Sequence, residues 1–402
     1  MASKETASAG IALGALDELR ELAALERRLG AVPVVAAGGL WGAAQALVLA
    51  ALSRRARVPW IALTSTEPEA EALCEDLAAF GAEALAFPAR ETQGKQRLDG
   101  SDLDAVRARL EVAKRLAGPA ERRPKLLVAS LLALLQPLPK PDELRASTLT
   151  LAVGDQLSPE QLLKRLVDAG YERQPLVEKP GEISLRGDIF DLFPFANDLP
   201  VRIELFDDAI ESLRTFDPAE QRSVDKLERV ALCLARDVGG VEDSSGVSPV
   251  LLLPHGAVFV EIEPLRLEDR GHGLSIQSAS HQRELGLLRQ ALDSRRRVQL
   301  QSLPAKDINF DTRSVQALSG GIRQAPELLR ATTADGTRVV VLCRTEAEQH
   351  RFISVLDEAG GVEGVDTRVG HVSRCFRFPA RKTVVVSHHE LVGLVGARRV
   401  AP

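Results

Sequence analysis

Glycines at a strand-to-helix turn can bind phosphate, and this chain has one such stretch. Gly38-Gly39-Leu40-Trp41-Gly42-Ala43-Ala44 follows the apolar run Pro33–Ala37 and leads into a helical pattern. A working phosphate loop exposes backbone N–H groups through its glycines, sets a Lys on the β- and γ-phosphates and offers a Ser or Thr oxygen to Mg²⁺. Here Ala43 stands at the Lys position, Ala44 at the Ser/Thr position and Ala37 at the leading glycine. Neither alanine can neutralise phosphate or ligate a metal, and phosphoryl transfer depends on little besides positioning and charge neutralisation. Gly38, Gly39 and Gly42 therefore read as a degenerate loop making a tight turn, with no nucleotide cofactor. The acidic strand end agrees, since Ala257–Val260 runs into Glu261-Ile262-Glu263-Pro264 and not an Asp-Glu pair.

Other chemistry is equally thin. His388-His389-Glu390 invites a zinc reading, but no further His lies one helical turn on. Neighbouring residues of a strand point to opposite faces, so on a strand the two imidazoles could not share an ion, and no metal is expected. Neither a G-x-S-x-G elbow nor a G-x-G-x-x-G turn occurs, and no catalytic residue is expected. The expectation is a chain that is not an enzyme.

The elements around these residues follow from periodicity. A first helix carries Leu13, Leu16, Leu19, Leu22, Leu25 and Leu29. Apolar runs at Pro33–Ala37, Trp60–Leu63, Ala84–Phe87 and Lys125–Ala129 alternate with helical stripes such as Ala70, Leu73, Leu77, Phe80 and Leu103, Val106, Leu110, Ala113, Leu116. Strands separated by helices of that length imply right-handed crossovers and a parallel sheet. The Pro-rich Gln136–Leu144 breaks the rhythm. Ser158-Pro159-Glu160-Gln161 then opens a helix with a capping residue, Pro at the first helical position and Gln three after the cap.

Beyond that helix, Glu182–Arg186, Asp188–Phe193, Val201–Phe206 and Ile210–Phe216 alternate with turns too short for crossover helices, so they predict an antiparallel sheet. From about Asp237 the α/β pattern returns, and a last unit begins near Pro304, with Arg338–Leu342, Glu346–Ala359 and Thr383–Val386 as its elements. The predicted fold is α/β: a parallel-sheet domain of degenerate P-loop type in two parts, 1–147 and 235–303, with an antiparallel α+β unit at 148–234 inserted and a small α/β domain at 304–402.

On Val201–Phe206, residues Val201, Ile203 and Leu205 point to a core and Arg202, Glu204 and Phe206 point away. Arginine beside an outward aromatic is the composition of a protein-binding hot spot. The pattern alone equally allows a Phe covered by a loop, with Arg202 paired to Glu204 or Asp207.

Composition narrows the classes. The net charge of −5 argues against a surface that grips DNA throughout, although Arg368, Arg374, Arg377, Arg381, Lys382, Arg398 and Arg399 gather in the last unit and leave weak DNA contact open. Cys74, Cys233, Cys343 and Cys375 are scattered, without a C-x-x-C pair, and read as reduced residues of a cytoplasmic protein. The start has no secretory signal and no stretch is apolar enough to span a membrane.

One long stretch, Gly181–Ser223, carries a specific resemblance. Arg186-Gly187, Asp191-Leu192-Phe193-Pro194, Arg202-Ile203-Glu204, Phe206, Glu211-Ser212-Leu213-Arg214, Phe216-Asp217 and Gln221-Arg222 resemble the UvrA-binding domain shared by UvrB excision-repair proteins and transcription-repair coupling factors. Phe87-Pro88-Ala89-Arg90-Glu91-Thr92, Ile308–Ser314 and His389-Glu390-Leu391 resemble the coupling factors further, so the resemblance runs from about Leu16 to Gly396.

It implies a helicase-like first domain that has lost its nucleotide chemistry and a UvrA-recruiting function, with Arg186, Arg202 and Phe206 as the UvrA contacts. In the family, a polymerase-binding domain and a translocating motor follow this region. RNA polymerase is thus a partner only where a longer chain or a second polypeptide supplies them. The rival expectation, a UvrB-like protein that handles damaged DNA with ATP, calls for an aromatic hairpin between Phe87 and Leu127 on which bases stack. No aromatic cluster lies there, and the chain has 4% aromatics and one tyrosine, Tyr171. With neither side chain serving the core, Arg202→Ala and Phe206→Ala are both expected to leave the fold intact.

Overall fold

A computed structural model describes residues 19–90, 100–235, 237, 246–315 and 321–391. Leu13, Leu16, Glu91, Thr92, Gly396, Arg398 and Arg399 lie outside the described residues. The chain opens with α1 (Arg20–Ala31), β1 (Val34–Gly38), α2 (Ala44–Arg55), β2 (Trp60–Thr64), α3 (Glu67–Ala79), β3 (Leu85–Phe87), α4 (Gly100–Ala117) and β4 (Leu126–Ser130). Short helices α5 (Leu131–Leu135) and α6 (Pro141–Ala146) then lead to the antiparallel segment. That segment holds β5 (Thr148–Ala152), α7 (Pro159–Asp168), β6 (Glu172–Arg173), β7 (Glu182–Arg186), β8 (Ile189–Leu192), β9 (Val201–Phe206), β10 (Ala209–Phe216), β11 (Ser223–Leu227) and β12 (Arg229–Cys233).

The α/β pattern resumes with α8 (Pro249–Leu252), β13 (Val258–Ile262), α9 (Pro264–Gln277), α10 (Ala279–Asp293), β14 (Arg297–Leu300) and β15 (Ile308–Asn309). A last unit has β16 (Arg313–Ser314), α11 (Ala325–Thr333), β17 (Arg338–Cys343), α12 (Glu346–Glu358), β18 (Val365–Val369), β19 (Phe376–Phe378), β20 (Thr383–Ser387) and α13 (His388–Leu391).

The first sheet has seven strands in the order β15-β1-β14-β13-β2-β4-β3, every neighbouring pair parallel. β13 and β14, which follow the antiparallel segment, lie between β1 and β2, which precede it. β15 pairs with β1, so this sheet continues to Asn309, and the chain crosses to the last sheet before Arg313. β14 is a central strand that the sequence hides behind three arginines, Arg295-Arg296-Arg297.

The antiparallel unit is a six-stranded sheet, β11-β10-β9-β8-β7-β6, with only the β6–β7 pair parallel. Its chain enters and leaves through one ribbon: β5 pairs with β12 from Thr148↔Cys233 to Ala152↔Arg229, and Leu234 N donates to Ser147 O at 2.9 Å. Ser158 caps α7 through Gln161 N, as its sequence foretells. Just beyond the neck Asp237 meets Arg109, which is fully buried on α4. Arg109 Nε donates to Asp237 Oδ2 at 2.7 Å, and its other nitrogens donate to Pro88, Gln136 and Pro137 carbonyls. Such a charge is tolerable only because every donor direction is met.

The helix α2 is buried all round from Ala44 to Leu52, apolar there except for Gln45, so it must be covered on more than its sheet side. The last unit supplies the cover. Its five-stranded sheet, β16-β19-β20-β17-β18, shares one continuous apolar core with α1, α2, α3 and the first sheet. Phe376 meets Phe80 edge-on, with centroids 6.4 Å apart. Asp76 of α3 accepts from Ser373 N at 2.6 Å and Ser373 Oγ at 2.7 Å. Among the described residues no helix is long and apolar enough to cross a membrane.

Burial pushes the Asp76 carboxyl up to about 6, against the two hydrogen bonds from Ser373 that favour the charged form. Its folded value lies above the ordinary 3.8, so the folded chain holds the proton more tightly than the unfolded chain. Between those two pH values the group's contribution to stability falls as pH rises. Asp76→Asn keeps an acceptor for Ser373 N and has no charge to desolvate. Its melting temperature should equal or exceed that of the parent at pH 8, with the difference shrinking towards pH 4. A variant that melts several degrees lower at pH 8 would show that the carboxylate's hydrogen bonds outweigh its burial.

Candidate functional site

The glycine loop after β1 is closed by protein. Gly39 N donates to Leu303 O, Leu40 N to Gln301 O and Ala43 N to Arg374 O, each at 3.1 Å, while Trp41 N donates to Thr312 Oγ1 at 2.7 Å. These are the backbone donors that a phosphate would need. Gly38 is glycine because a Cβ there would collide with the backbone of Leu303 and Ala305. Gly42 combines φ +57° with a place where a Cβ would stand 2.9 Å from Arg374 O. Both glycines thus serve close backbone approach. At the end of β13, Glu263 accepts from Gln45 Nε2 at 2.6 Å and from Ser302 N at 2.9 Å, so this carboxylate too is engaged within the protein.

The outward face of the six-stranded sheet is organised by one carboxylate. Cross-strand pairing Ser184↔Asp191↔Arg202↔Arg214 puts these residues on one face, opposite the core face of Ile183, Leu192, Val201, Ile203 and Leu213. Asp191 is 1% exposed. It accepts Arg202 Nε at 2.7 Å and Nη2 at 2.9 Å in a two-pronged fork, and Arg186 Nη2 at 2.8 Å. Arg202 also donates to Gln221 Oε1 at 3.3 Å and lies over the ring of Phe216 at 4.5 Å. Below it Phe216, Phe193 and Val177 form a small apolar cluster. Hydrogen bonding to Asp191 raises the Arg202 guanidinium above its ordinary value and keeps it charged. Glu204 instead takes Arg214 and Ser212.

Phe206 sits where β9 turns into β10 through Asp207 and Asp208, with Asp207 at φ 51°. The Gly187-Asp188 turn lies at the same end, since Asp188 O accepts from Leu205 N at 2.9 Å. Phe206 is 71% exposed, although the strand's inward residues are 0–5% exposed. The structure therefore brings Arg186 and Arg202 together on Asp191 and leaves Phe206 as a bare ring at one end of their face.

One expectation needs correcting. Arg202 is not a free surface residue: its side chain is 15% exposed and serves the fold as the cover of Phe216 and the partner of a buried carboxylate. Its partner is neither Glu204 nor Asp207. Asp191 and Gln221 are the residues that sequence reasoning left without a role, although an Asp between Phe190 and Leu192 on a half-buried strand signals a buried ion pair.

The histidines also differ from expectation. His388 and His389 begin the helical turn α13 after β20, where neighbouring side chains diverge by about 100° instead of 180°. Both reach Glu348 of α12. The basic residues of the last unit are partly engaged, Arg368 with Asp366 and Lys382 with the Asp335 carbonyl, while Arg374 and Arg377 are exposed.

Residues 149–237 match the UvrB interaction domain family. The transcription-repair-coupling factor of Myxococcus xanthus is 39% identical over 208 residues, which is 50% of this chain and 17% of that protein. That of Bacillus subtilis is 33% identical over 204 residues, again 50% of this chain and 17% of the relative, and that of Staphylococcus aureus is 47% identical over 89 residues. The matched part is thus about a sixth of the length of the first two curated relatives. A DEAD box protein structure from Methanococcus jannaschii aligns over 91% of this chain and 73% of its own at 8% identity, with a TM-score of 0.26, too low to add to the strand order. Residues 149–237 thus match a UvrB interaction domain, and half of the chain is similar to transcription-repair-coupling factors.

The geometry separates three side chains by their effect on stability. Phe206→Ala should change unfolding free energy by less than about 0.5 kcal/mol, because the ring is exposed. Ile203→Ala should cost about 2–5 kcal/mol. Arg202→Ala should cost about 2 kcal/mol, since Asp191 keeps only Arg186. Urea unfolding of the three variants measures this order, and a Phe206→Ala loss as large as that of Ile203→Ala would make Phe206 a core residue.

Proposed function

We propose that this chain is a non-catalytic docking module of transcription-coupled nucleotide excision repair, which recruits UvrA through the outward face bearing Arg186, Arg202 and Phe206. The observation that carries the reading is Phe206, a ring 71% exposed at one end of the face that holds two ion-paired arginines, within a segment that matches the UvrB interaction domain. An exposed phenyl has nothing to gain in the free protein, and burying it in a partner contributes about 1.5–3 kcal/mol. The arginines are already ordered on Asp191, so docking against them costs little side-chain entropy. RNA polymerase and a motor enter this function through other parts of a coupling factor.

The closed loop supports the non-catalytic half of the reading. Backbone donors at Gly39, Leu40, Trp41 and Ala43 already have protein acceptors, and Ala43 and Ala44 bring neither charge nor oxygen. The rival reading, a UvrB-like protein that uses ATP on damaged DNA, needs that loop to open.

Two measurements test the proposal. Phe206→Ala should weaken UvrA binding by at least about 2 kcal/mol, roughly thirtyfold, with an unchanged melting temperature. Wild-type affinity in that variant, read by interferometry against immobilised UvrA, would remove Phe206 from the interface. Millimolar MgATP should give no thermal shift and no turnover with or without DNA. A reproducible shift would mean that the loop opens and would favour the rival.

A further inference from the structure

Outside both of these regions, the last unit holds a cluster that neither uses. His388, the first residue of α13, has a side chain only 9% exposed, yet neither ring nitrogen has a hydrogen-bond partner within the described protein. Its Nδ1 faces Glu348 Oε2 at 3.9 Å, too far for a hydrogen bond. His389 Nε2 stands 3.2 Å from Glu348 Oε1. One ligand atom from each of the three residues lies within 4.8 Å of the others. A buried imidazole left unmatched is costly, so these three side chains are suited to share one ligand.

We propose that Glu348, His388 and His389 form a binding site for a divalent first-row transition ion of the Zn²⁺ type, which pins α13 to the first turn of α12. Two imidazoles and one carboxylate suit such an ion and not Mg²⁺ or Ca²⁺, which take oxygen ligands almost throughout. Tetrahedral coordination with bonds of about 2.0–2.2 Å places ligand atoms roughly 3.3–3.5 Å apart. The Glu348–His389 pair is already there, at 3.2 Å, and His388 must close by up to about 1.4 Å from a cluster 4.8 Å across, within reach of a side-chain rotation.

The framework is firm. Glu348 Oε2 accepts from Arg344 N at 2.9 Å, Thr345 Oγ1 caps the helix through Glu348 N at 3.1 Å, and Phe352 packs edge-on against His388 at 5.1 Å. His389 and Glu348 are 30% and 32% exposed, so an ion can enter from solvent and water can complete its shell.

The test uses the whole chain without a histidine tag, stripped with a chelator and titrated with Co²⁺ while visible absorption is followed. One equivalent should bind with d–d bands, Zn²⁺ should displace it, and Mg²⁺ should not. His389→Gln, whose side chain is partly exposed and whose loss spares the core, should weaken Co²⁺ binding at least tenfold, and His388→Gln should do the same. Zn²⁺ should raise the melting temperature of the parent and not that of His389→Gln. Absence of stoichiometric uptake would overturn the proposal. So would uptake unchanged in His389→Gln, which would point to a thiol such as Cys74 as the ligand.

Discussion

A helix that is buried on every side from Ala44 to Leu52, within Ala44–Arg55, dictates much of this molecule. One side can be buried on the parallel sheet that it follows, but the rest must be buried by something else. The last unit meets that need, and in docking it brings the Arg374 carbonyl onto the N-terminus of the same helix. The first turn of such a helix is where an anion would sit. Ala43 and Ala44 are 1% exposed there, so the residues missing from a phosphate loop are those that a dry, covered helix start requires. The same two alanines that let this helix start pack dry bring neither the charge nor the oxygen of a phosphate loop.

The antiparallel unit shows a division of labour of a different kind. Asp191 is buried, and its two arginine partners hold it in place. Arg202 then covers Phe216, so it cannot be altered without touching the fold. Phe206 carries no such duty. A face built this way keeps its charges fixed in space and its ring free, so a protein that docked there would meet groups that need little reordering.

Much of the architecture was legible because it follows from period alone. The strand runs before Ser130 and the four alternating segments from Glu182 to Phe216 stand where periodicity places them, within a residue or two at their ends. What escaped has physical reasons. β11 is an edge strand of Ser223-Val224-Asp225-Lys226-Leu227, four of its five residues exposed, so no buried face imprints an alternation. β14 is four residues long and begins on an arginine.

The glycines at Gly38 and Gly42 look like a phosphate signature because close backbone approach and phosphate binding make the same demand, the absence of a Cβ. The Asp191 pairing crosses strands, and the meeting of Glu348 with His388 joins residues forty positions apart, so no local pattern could reveal either. The placement of the two histidines on a strand fails for a simpler reason: a helical turn begins at His388, directly after β20.

The ribbon of β5 and β12 gives the antiparallel unit a single doorway. Thr148 and Cys233 are paired neighbours, which places the two cut ends of the host chain about 5 Å apart. Seen genetically, the whole unit is therefore a cassette: one insertion event could add it and one deletion could remove it, with little strain on the connections left behind. Seen from the core, the same unit is welded in, because Ile183, Val201, Leu213 and Leu232 belong to one apolar mass with Leu110, Leu134 and Phe259 of the host. A graft of this kind travels as one piece of DNA, but each new host must reshape its own surface before the graft can settle.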